Sequence, residues 1–170
     1  SLAPCGQCLE KTRPWERFFF HGEYQGLLRD LILRFKSSQE LALSPLLGNL
    51  LGSHPGITGP YDGIIPMPLH AGRLRERGFN QSVELAVPLA GRLGVPILRG
   101  AFVRQVPTRI QSGLTTRERR DNVRGIFGVS GDISGKRLLL VDDIATTCAS
   151  MEEAAMALLA AGAFSVDAAV

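Results

Sequence analysis

The feature that most constrains the fold is an apolar run followed by two carboxylates and then by small hydroxyl residues. Arg137–Val141 is apolar after its first residue, as expected of a strand covered on both faces. Asp142 and Asp143 come directly after it, and a helical pattern of apolar residues starts at Met151. In parallel sheets, ligands bind where strands end and the following loops begin. The sequence therefore predicts a ligand site at the end of this strand.

Strands and helices alternate along the chain. Apolar spacing predicts helices over residues 24–36, from residue 44, over residues 80–93 and from residue 151. Short apolar runs predict strands over residues 63–67, 95–103 and 164–170. We expect Pro88 to bend or interrupt its helix, because proline lacks the amide hydrogen that the helix uses. The alternation favours an α/β fold with a mostly parallel central sheet flanked by helices, and with Arg137–Val141 in its centre.

Composition excludes several classes of protein. With 170 residues, 45% of them hydrophobic and 21% charged, the chain matches one folded domain rather than a disordered segment. Its longest apolar stretch is shorter than the ~20 residues that span a bilayer, so we expect no membrane insertion. Three cysteines are too few for a disulfide framework, and their odd number favours a reducing, cytoplasmic location. Because the chain starts at Ser1 rather than Met, we expect an upstream segment to be missing.

Charge is unevenly distributed along the chain. Residues 99–124 hold seven arginines against Glu118 and Asp121, whereas residues 138–170 hold five acids and no lysine or arginine. An arginine-rich segment beside an acidic one indicates a polyanion on one side and a metal or hydroxyl groups on the other. The alternative is that both segments are solvated faces that pair with each other.

The acid pair and the residues after it offer two kinds of contact. The amides and dipole of a helix N-terminus favour a phosphate, and neighbouring hydroxyl groups add donors. The predicted phosphate loop consists of Ala145, Thr146, Thr147, Cys148, Ala149 and Ser150. Asp142 and Asp143 are better suited to sugar hydroxyls, or to Mg²⁺ held through water. Together these contacts describe a ribose 5-phosphate site, although simple capping of a strand and a helix remains the alternative.

A second alternative is the receiver domain, in which an acid pair ends the first strand of a phosphoacceptor domain. Only 27 residues follow Asp143, which is too few for the rest of such a domain.

The acid-pair segment resembles the loop of type I phosphoribosyltransferases that binds 5-phosphoribosyl 1-pyrophosphate (PRPP). A second stretch resembles the ComF/GntX group of phosphoribosyltransferase-like proteins. It contains Ile64, Pro66, Pro68, His70, Arg73, Arg75, Arg77, Gly78, Phe79, Asn80 and Gln81. The resemblance covers nearly the whole chain. It departs at Cys148, where the family usually has glycine. We expect Cys148 to keep an ordinary backbone conformation, because Thr147 and Ala149 leave its side chain room to turn outward.

The resemblance implies a type I phosphoribosyltransferase-like fold over residues 21–170, with a small N-terminal hood. Residues 1–20 are then the remnant of a cysteine-rich, zinc-ribbon-like segment, in which Cys5 and Cys8 supply only half of a zinc site. The ligand is PRPP or another phosphorylated ribose, with Mg²⁺ carried by PRPP and no metal held by the protein alone.

The same resemblance implies roles for single residues. The catalytic candidates are Asp142, Asp143, Arg104 and Arg109, the two arginines belonging to a flap that closes over the reacting centre. The pyrophosphate candidates are His70, Arg73 and Arg77, in a loop over residues 70–78. His70 is equally well explained as a helix cap or a packing residue.

Two functions follow from the resemblance. The first is transfer of phosphoribosyl from PRPP to an unknown acceptor with release of pyrophosphate, linked to natural competence and DNA uptake. The alternative is a non-catalytic module of the transformation machinery that binds single-stranded DNA, regulated by PRPP and acting with competence proteins. The arginine-rich segment favours DNA, but only Phe102 and Phe127 flank it as stacking platforms for bases.

Overall fold

The computed structural model describes residues 13–37, 40–104 and 125–170. The strands are β1 (Phe18–Phe19), β2 (Gly63–Pro66), β3 (Phe102–Arg104), β4 (Phe127–Val129), β5 (Arg137–Val141) and β6 (Ser165–Ala169). The helices are α1 (Gly26–Ser37), α2 (Ser44–Gly52), α3 (Ala71–Arg77), α4 (Gln81–Leu93) and α5 (Ala149–Ala160), with a 3₁₀ turn at Leu41–Leu43. No helix in these ranges is long and apolar enough to cross a membrane.

Four strands form one parallel sheet in the order β1-β6-β5-β2. β5 therefore has a hydrogen-bonded neighbour on each side, which confirms its predicted central position. The strands β3 and β4 form a separate antiparallel pair. This arrangement confirms the predicted α/β class with a mostly parallel sheet.

Two hydrophobic cores lie on opposite faces of the sheet, and β5 contributes to both of them. Leu138 and Leu140 belong to the core that contains Met151, Ala155 and Leu158 of α5. On the other face, Leu139 and Val141 join a core built from α1, α2 and α4. All four apolar side chains of β5 are fully buried, because successive residues of a strand point to opposite faces and both faces are covered.

Helices α2 and α4 pack closely, at a glycine that leaves no room for a side chain. A Cβ atom placed on Gly48 would lie 2.2 Å from the ring of Pro88 and 2.8 Å from the carbonyl oxygen of Leu85. Pro88 thus packs against Gly48 of α2, and it does not interrupt α4. Asn80 starts α4 by accepting a hydrogen bond from the Ser82 amide at 3.0 Å.

The structure differs from the sequence-based expectation in three places. Residues 71–77 form helix α3 rather than a loop, and the side chain of His70 caps it by accepting a hydrogen bond from the Gly72 amide at 3.2 Å. In the predicted strand over residues 95–103, only Phe102 and Val103 lie in β3, while Ile97 makes a single bridge to Ile64. The third difference is β1, an edge strand of the main sheet at residues expected to precede the domain.

A buried polar cluster connects the segment before β1 to the sheet. Asp167 of β6 is 4% exposed and accepts hydrogen bonds from the Tyr61 hydroxyl at 2.8 Å and from the Arg17 side chain and amide at 3.0 and 2.9 Å. Burial, together with the hydrogen bond to Asp167, raises the pKa of Tyr61. A buried carboxylate that keeps its charge needs such partners, so this cluster fixes how the N-terminal segment packs.

We expect Tyr61→Phe to lower the free energy of unfolding by about 1 kcal/mol, because it removes one hydrogen bond to a carboxylate that keeps its arginine partner. The measurement is urea denaturation followed by circular dichroism. Tyr24→Phe is the matched control, since Tyr24 is 42% exposed. Equal stability of the two variants would contradict a stabilising role of the cluster.

Candidate functional site

A cavity of about 790 Å³ opens at the C-terminal edge of the parallel sheet. It brings together every predicted site residue that the structure describes: His70, Arg73, Arg77, Arg104, Asp142, Asp143, Ala145, Thr146, Thr147, Cys148, Ala149 and Ser150. Arg109, Cys5 and Cys8 lie outside the described residues. The cavity sits where β2 and β5 end, as parallel sheets generally place their ligand sites.

The two carboxylates at the end of β5 are held by different partners. Oδ1 of Asp142 accepts hydrogen bonds from the Ser82 hydroxyl and from the Asp143 amide, both at 2.9 Å. Oδ2 of Asp143 lies 2.8 Å from Nζ of Lys36, in the last turn of α1. The pair is therefore fixed by groups from α1 and α4 as well as by β5. Sequence analysis missed Lys36 and Ser82, although Ser82 directly follows the quoted Asn80-Gln81 motif.

Asp142 is the most strongly perturbed acid at the site. Its removal from water, together with the negative charge of Asp143, raises its pKa to about 7. The hydrogen bonds from the Asp143 amide and Ser82, and the charge of Lys36, act in the opposite direction. A carboxylate in this state needs further hydrogen-bond donors or positive charge to remain ionised.

The loop after the acid pair turns through a left-handed residue at the start of α5. Cys148 has φ of 59° and ψ of 4° and is the N-cap residue of α5. It is the only non-glycine residue of the described ranges with positive φ. The expectation of an ordinary backbone conformation at Cys148 was wrong, because the turn from strand to helix requires the left-handed region whatever space the neighbours leave. This requirement explains the family's usual glycine.

The N-terminus of α5 faces the same cavity. The first amides of a helix have no partner within the helix and carry a partial positive charge. Thr147 accepts a long hydrogen bond from the Ala149 amide at 3.4 Å. Thr146 is exposed, and Thr147 and Ser150 are partly buried. The loop thus presents hydroxyl groups beside a helix N-terminus.

Positive charge also gathers around the cavity, where three arginines line it. Arg73 and Arg77 come from α3, and Arg104 ends β3. Burial and the positive charge of Arg73 lower the pKa of Arg104, whereas the charge of Asp142 raises it. Arg73 is exposed and Arg104 is partly buried, and two guanidinium groups close enough to repel each other favour an anion between them. His70 lines the same cavity, but its Nδ1 atom caps α3.

No group of three or more histidine, cysteine, aspartate and glutamate side chains is arranged to hold a metal ion in the part of the chain that the structure describes. The acid pair alone offers two carboxylates, which is fewer than a protein-only magnesium site needs.

The raised pKa of Asp142 predicts a pH-dependent stability. In the folded chain Asp142 keeps its proton up to about pH 7, whereas the unfolded chain releases it near pH 4. The stabilising contribution of the protonated acid is therefore lost as the pH rises from about 4 to about 7. We expect Asp142→Asn to be more stable than the wild type at pH 8, by on the order of 1–3 kcal/mol, and the difference to shrink towards pH 4.

Urea denaturation at several pH values measures this effect. Asp30→Asn, at an exposed position of α1, is the matched control and should show no such trend. A constant difference between Asp142→Asn and wild type across the pH range would contradict the raised pKa.

The backbone at Cys148 leads to a second prediction. A left-handed non-glycine residue is strained by about 1–2 kcal/mol, and glycine loses up to about 1 kcal/mol through its unfolded-state entropy. We therefore expect Cys148→Gly to be more stable than Cys148→Ala, in which the Cβ atom and its strain remain. Thermal unfolding of the two variants tests this, and a more stable alanine variant would show that the loop is relaxed.

Comparison with known proteins gives three informative relatives, while no protein-family model matches the chain. The DNA utilization protein YhgH of Escherichia coli O157:H7 is 35% identical over 174 residues, covering 98% of this chain and 76% of that protein. Competence protein F of Haemophilus influenzae is 30% identical over 158 residues, covering 88% and 69%. A ribose-phosphate pyrophosphokinase of Granulibacter bethesdensis is 31% identical over 111 residues, covering 64% and 34%.

The similarity to the pyrophosphokinase agrees with the parallel sheet, and the fold is phosphoribosyltransferase-like. The two longer matches extend over both the stretch from Ile64 to Gln81 and the acid-pair loop. On this evidence the chain belongs to the family of the DNA utilization protein YhgH and Competence protein F, the ComF/GntX group that its motifs resemble.

Proposed function

We propose that the chain binds PRPP and transfers its phosphoribosyl group to an acceptor, with release of pyrophosphate. The observation that carries the proposal is that two carboxylates and three arginines line one cavity. Asp142 and Asp143 line it, and Arg73 lies close enough to Arg104 that its charge lowers the pKa of Arg104. PRPP has neutral ribose hydroxyl groups between a phosphate and a pyrophosphate, so it matches both kinds of surface.

The 5-phosphate fits the loop at the start of α5. Helix amides, the helix dipole and the hydroxyl groups of Thr146, Thr147 and Ser150 are the donors that a phosphate needs. Asp142 and Asp143 then accept hydrogen bonds from the ribose hydroxyl groups. In this pose Lys36 shares Asp143 with the ribose, and Ser82 keeps the Asp142 carboxylate oriented.

The arginines suit the leaving group. Breaking the bond between C1′ and pyrophosphate separates a cationic sugar from an anion, so preplaced carboxylates and guanidinium groups favour the transition state over the ground state. Arg73, Arg77 and Arg104 are the described candidates for the pyrophosphate. Mg²⁺ would be held mainly by PRPP oxygens, with the acid pair contacting its water shell, and it would neutralise part of the pyrophosphate charge.

Binding of single-stranded DNA is the second candidate. The names of the relatives, DNA utilization protein and Competence protein F, favour a role of this chain in DNA use. The arginine-rich segment of residues 99–124 lies mostly outside the described residues. The two candidates are compatible if PRPP regulates a DNA-binding role, with competence proteins as partners.

Calorimetry with separate ligands tests the first proposal. We expect wild type to bind PRPP with Mg²⁺, and Asp143→Asn to lose at least tenfold in affinity, or about 1.4 kcal/mol. Arg73→Met should weaken PRPP and free pyrophosphate but leave ribose 5-phosphate unchanged, because in the proposed pose Arg73 contacts the pyrophosphate and the α5 loop contacts the 5-phosphate.

The controls remove a charge of the same sign outside the cavity. Arg75→Met lies on the same helix but not in the cavity lining, and Asp132→Asn changes an exposed acid. Both should bind PRPP like wild type. No binding of PRPP by wild type, with an oligonucleotide affinity that falls steeply between low and physiological salt, would favour the DNA-binding candidate instead.

A further inference from the structure

A second cavity, of about 350 Å³, adjoins the first one. Its size is within the range of small-molecule sites, roughly 300–1,000 Å³. Asp143, Ile144, Ala145 and Cys148 line both cavities. A molecule in the second cavity would therefore meet a phosphorylated ribose in the first one at the acid pair and the start of the phosphate loop.

The interior of the second cavity is apolar. Phe35 of α1, Leu47 and Leu51 of α2 and Leu85 of α4 line it and are at most 6% exposed. These side chains come from three helices of one core, so they form a packed and permanent surface. They offer dispersion contacts but no hydrogen-bond donor or acceptor.

Aromatic side chains lie at the open side. Phe20 is 50% exposed and Tyr24 is 42% exposed, although both are large and both line the cavity. Two half-exposed aromatic rings next to an apolar cavity are typical of a ligand site. A flat ring entering there would stack against them while its inner edge contacts the leucines.

Few ionisable side chains line the second cavity. Among the described residues that line the cavity, the ionisable ones besides Tyr24 are His21, Glu23, Asp143 and Cys148. His21 and Glu23 are exposed, and the other two residues also belong to the first cavity. The polar contacts available to a ligand are therefore at its ends.

We infer that the second cavity takes the acceptor, and that this acceptor is a flat, apolar aromatic ring with a nitrogen nucleophile at one edge. The inference rests on the proposed function and specifies its substrate class. The ring lies between Phe20 and Tyr24 and the buried leucines, and its nitrogen faces Asp143. The nitrogen uses its lone pair to form a bond to C1′ as the bond from C1′ to pyrophosphate breaks; pyrophosphate keeps the electron pair, and the cationic ring then releases an N–H proton to solvent.

This class excludes the common nucleobases. A nucleobase has donors and acceptors on more than one edge, and those that face Leu47, Leu51 and Leu85 would be buried without partners. An unpaired buried polar group is unfavourable by about 1–3 kcal/mol. An apolar ring of the same shape avoids this penalty, because only its reactive edge is polar.

Benzimidazole and purine form a matched pair of probes, since both are flat fused rings of the same shape and purine has two more ring nitrogens. Calorimetry at a pH where both are neutral compares their affinities, with the protein alone and with ribose 5-phosphate present. We expect benzimidazole to bind at least tenfold more tightly than purine, adenine or uracil. Tighter binding of any of these three nucleobases would overturn the inference.

Variants at the open side identify the cavity without disturbing the core. Phe20→Ala and Tyr24→Ala should each weaken benzimidazole binding at least threefold and leave PRPP binding unchanged. Phe164→Ala is the matched control. Phe164 is 63% exposed and directly precedes β6, so it lies at the N-terminal end of a strand, whereas the cavities lie at the C-terminal ends of the strands. Loss of benzimidazole binding in the control as well, or in neither cavity variant, would overturn the assignment.

The two proposals can fail separately. PRPP binding with no benzimidazole binding would reject the acceptor class and keep the proposed function. Benzimidazole binding that depends on Phe20 and Tyr24, without any PRPP binding, would reject the proposed function, and with it the role of the ring as an acceptor.

Discussion

Burial of β5 between two cores is the constraint on which both the fold and the site depend. Its four apolar side chains alternate between the core of α5 and the core of α1, α2 and α4, and its backbone pairs with strands on both sides. The strand cannot shift by one residue without exchanging the two faces. The acid pair at its end is therefore held in a fixed position, and helices from both layers approach it.

Several interactions at the site are unfavourable, and the surrounding fold must compensate for them. Asp142 is taken out of water beside a second carboxylate, and Cys148 holds a left-handed conformation that a side chain disfavours. Arg73 and Arg104, which line the same cavity, repel each other. All three features lie around a single opening at the sheet edge, and an anion bound between the arginines would relieve their repulsion. Such concentration of unfavourable interactions is typical of a binding site.

The sequence predicted correctly those parts of the site whose residues are neighbours along the chain. The strand, the acid pair and the phosphate loop follow one another along the chain, so their juxtaposition was predictable. Lys36 and Ser82 reach the acids only through tertiary packing, which periodicity does not reveal. Helix α3 was missed because it is short and exposed and has no apolar stripe; its signals were local, namely the His70 cap and the left-handed Gly78 at its end.

The ion pair between Lys36 and Asp143 connects the acid pair of the first cavity to helix α1, which lines the second cavity. Lys36 lies in the last turn of α1, and Leu28, Ile32 and Phe35 of the same helix line the apolar cavity. A ligand that takes Asp143 from Lys36 also removes a restraint on the end of α1, and thus on a wall of the neighbouring cavity. Occupancy of the two cavities is then thermodynamically linked, and each ligand changes the affinity of the other by the same factor.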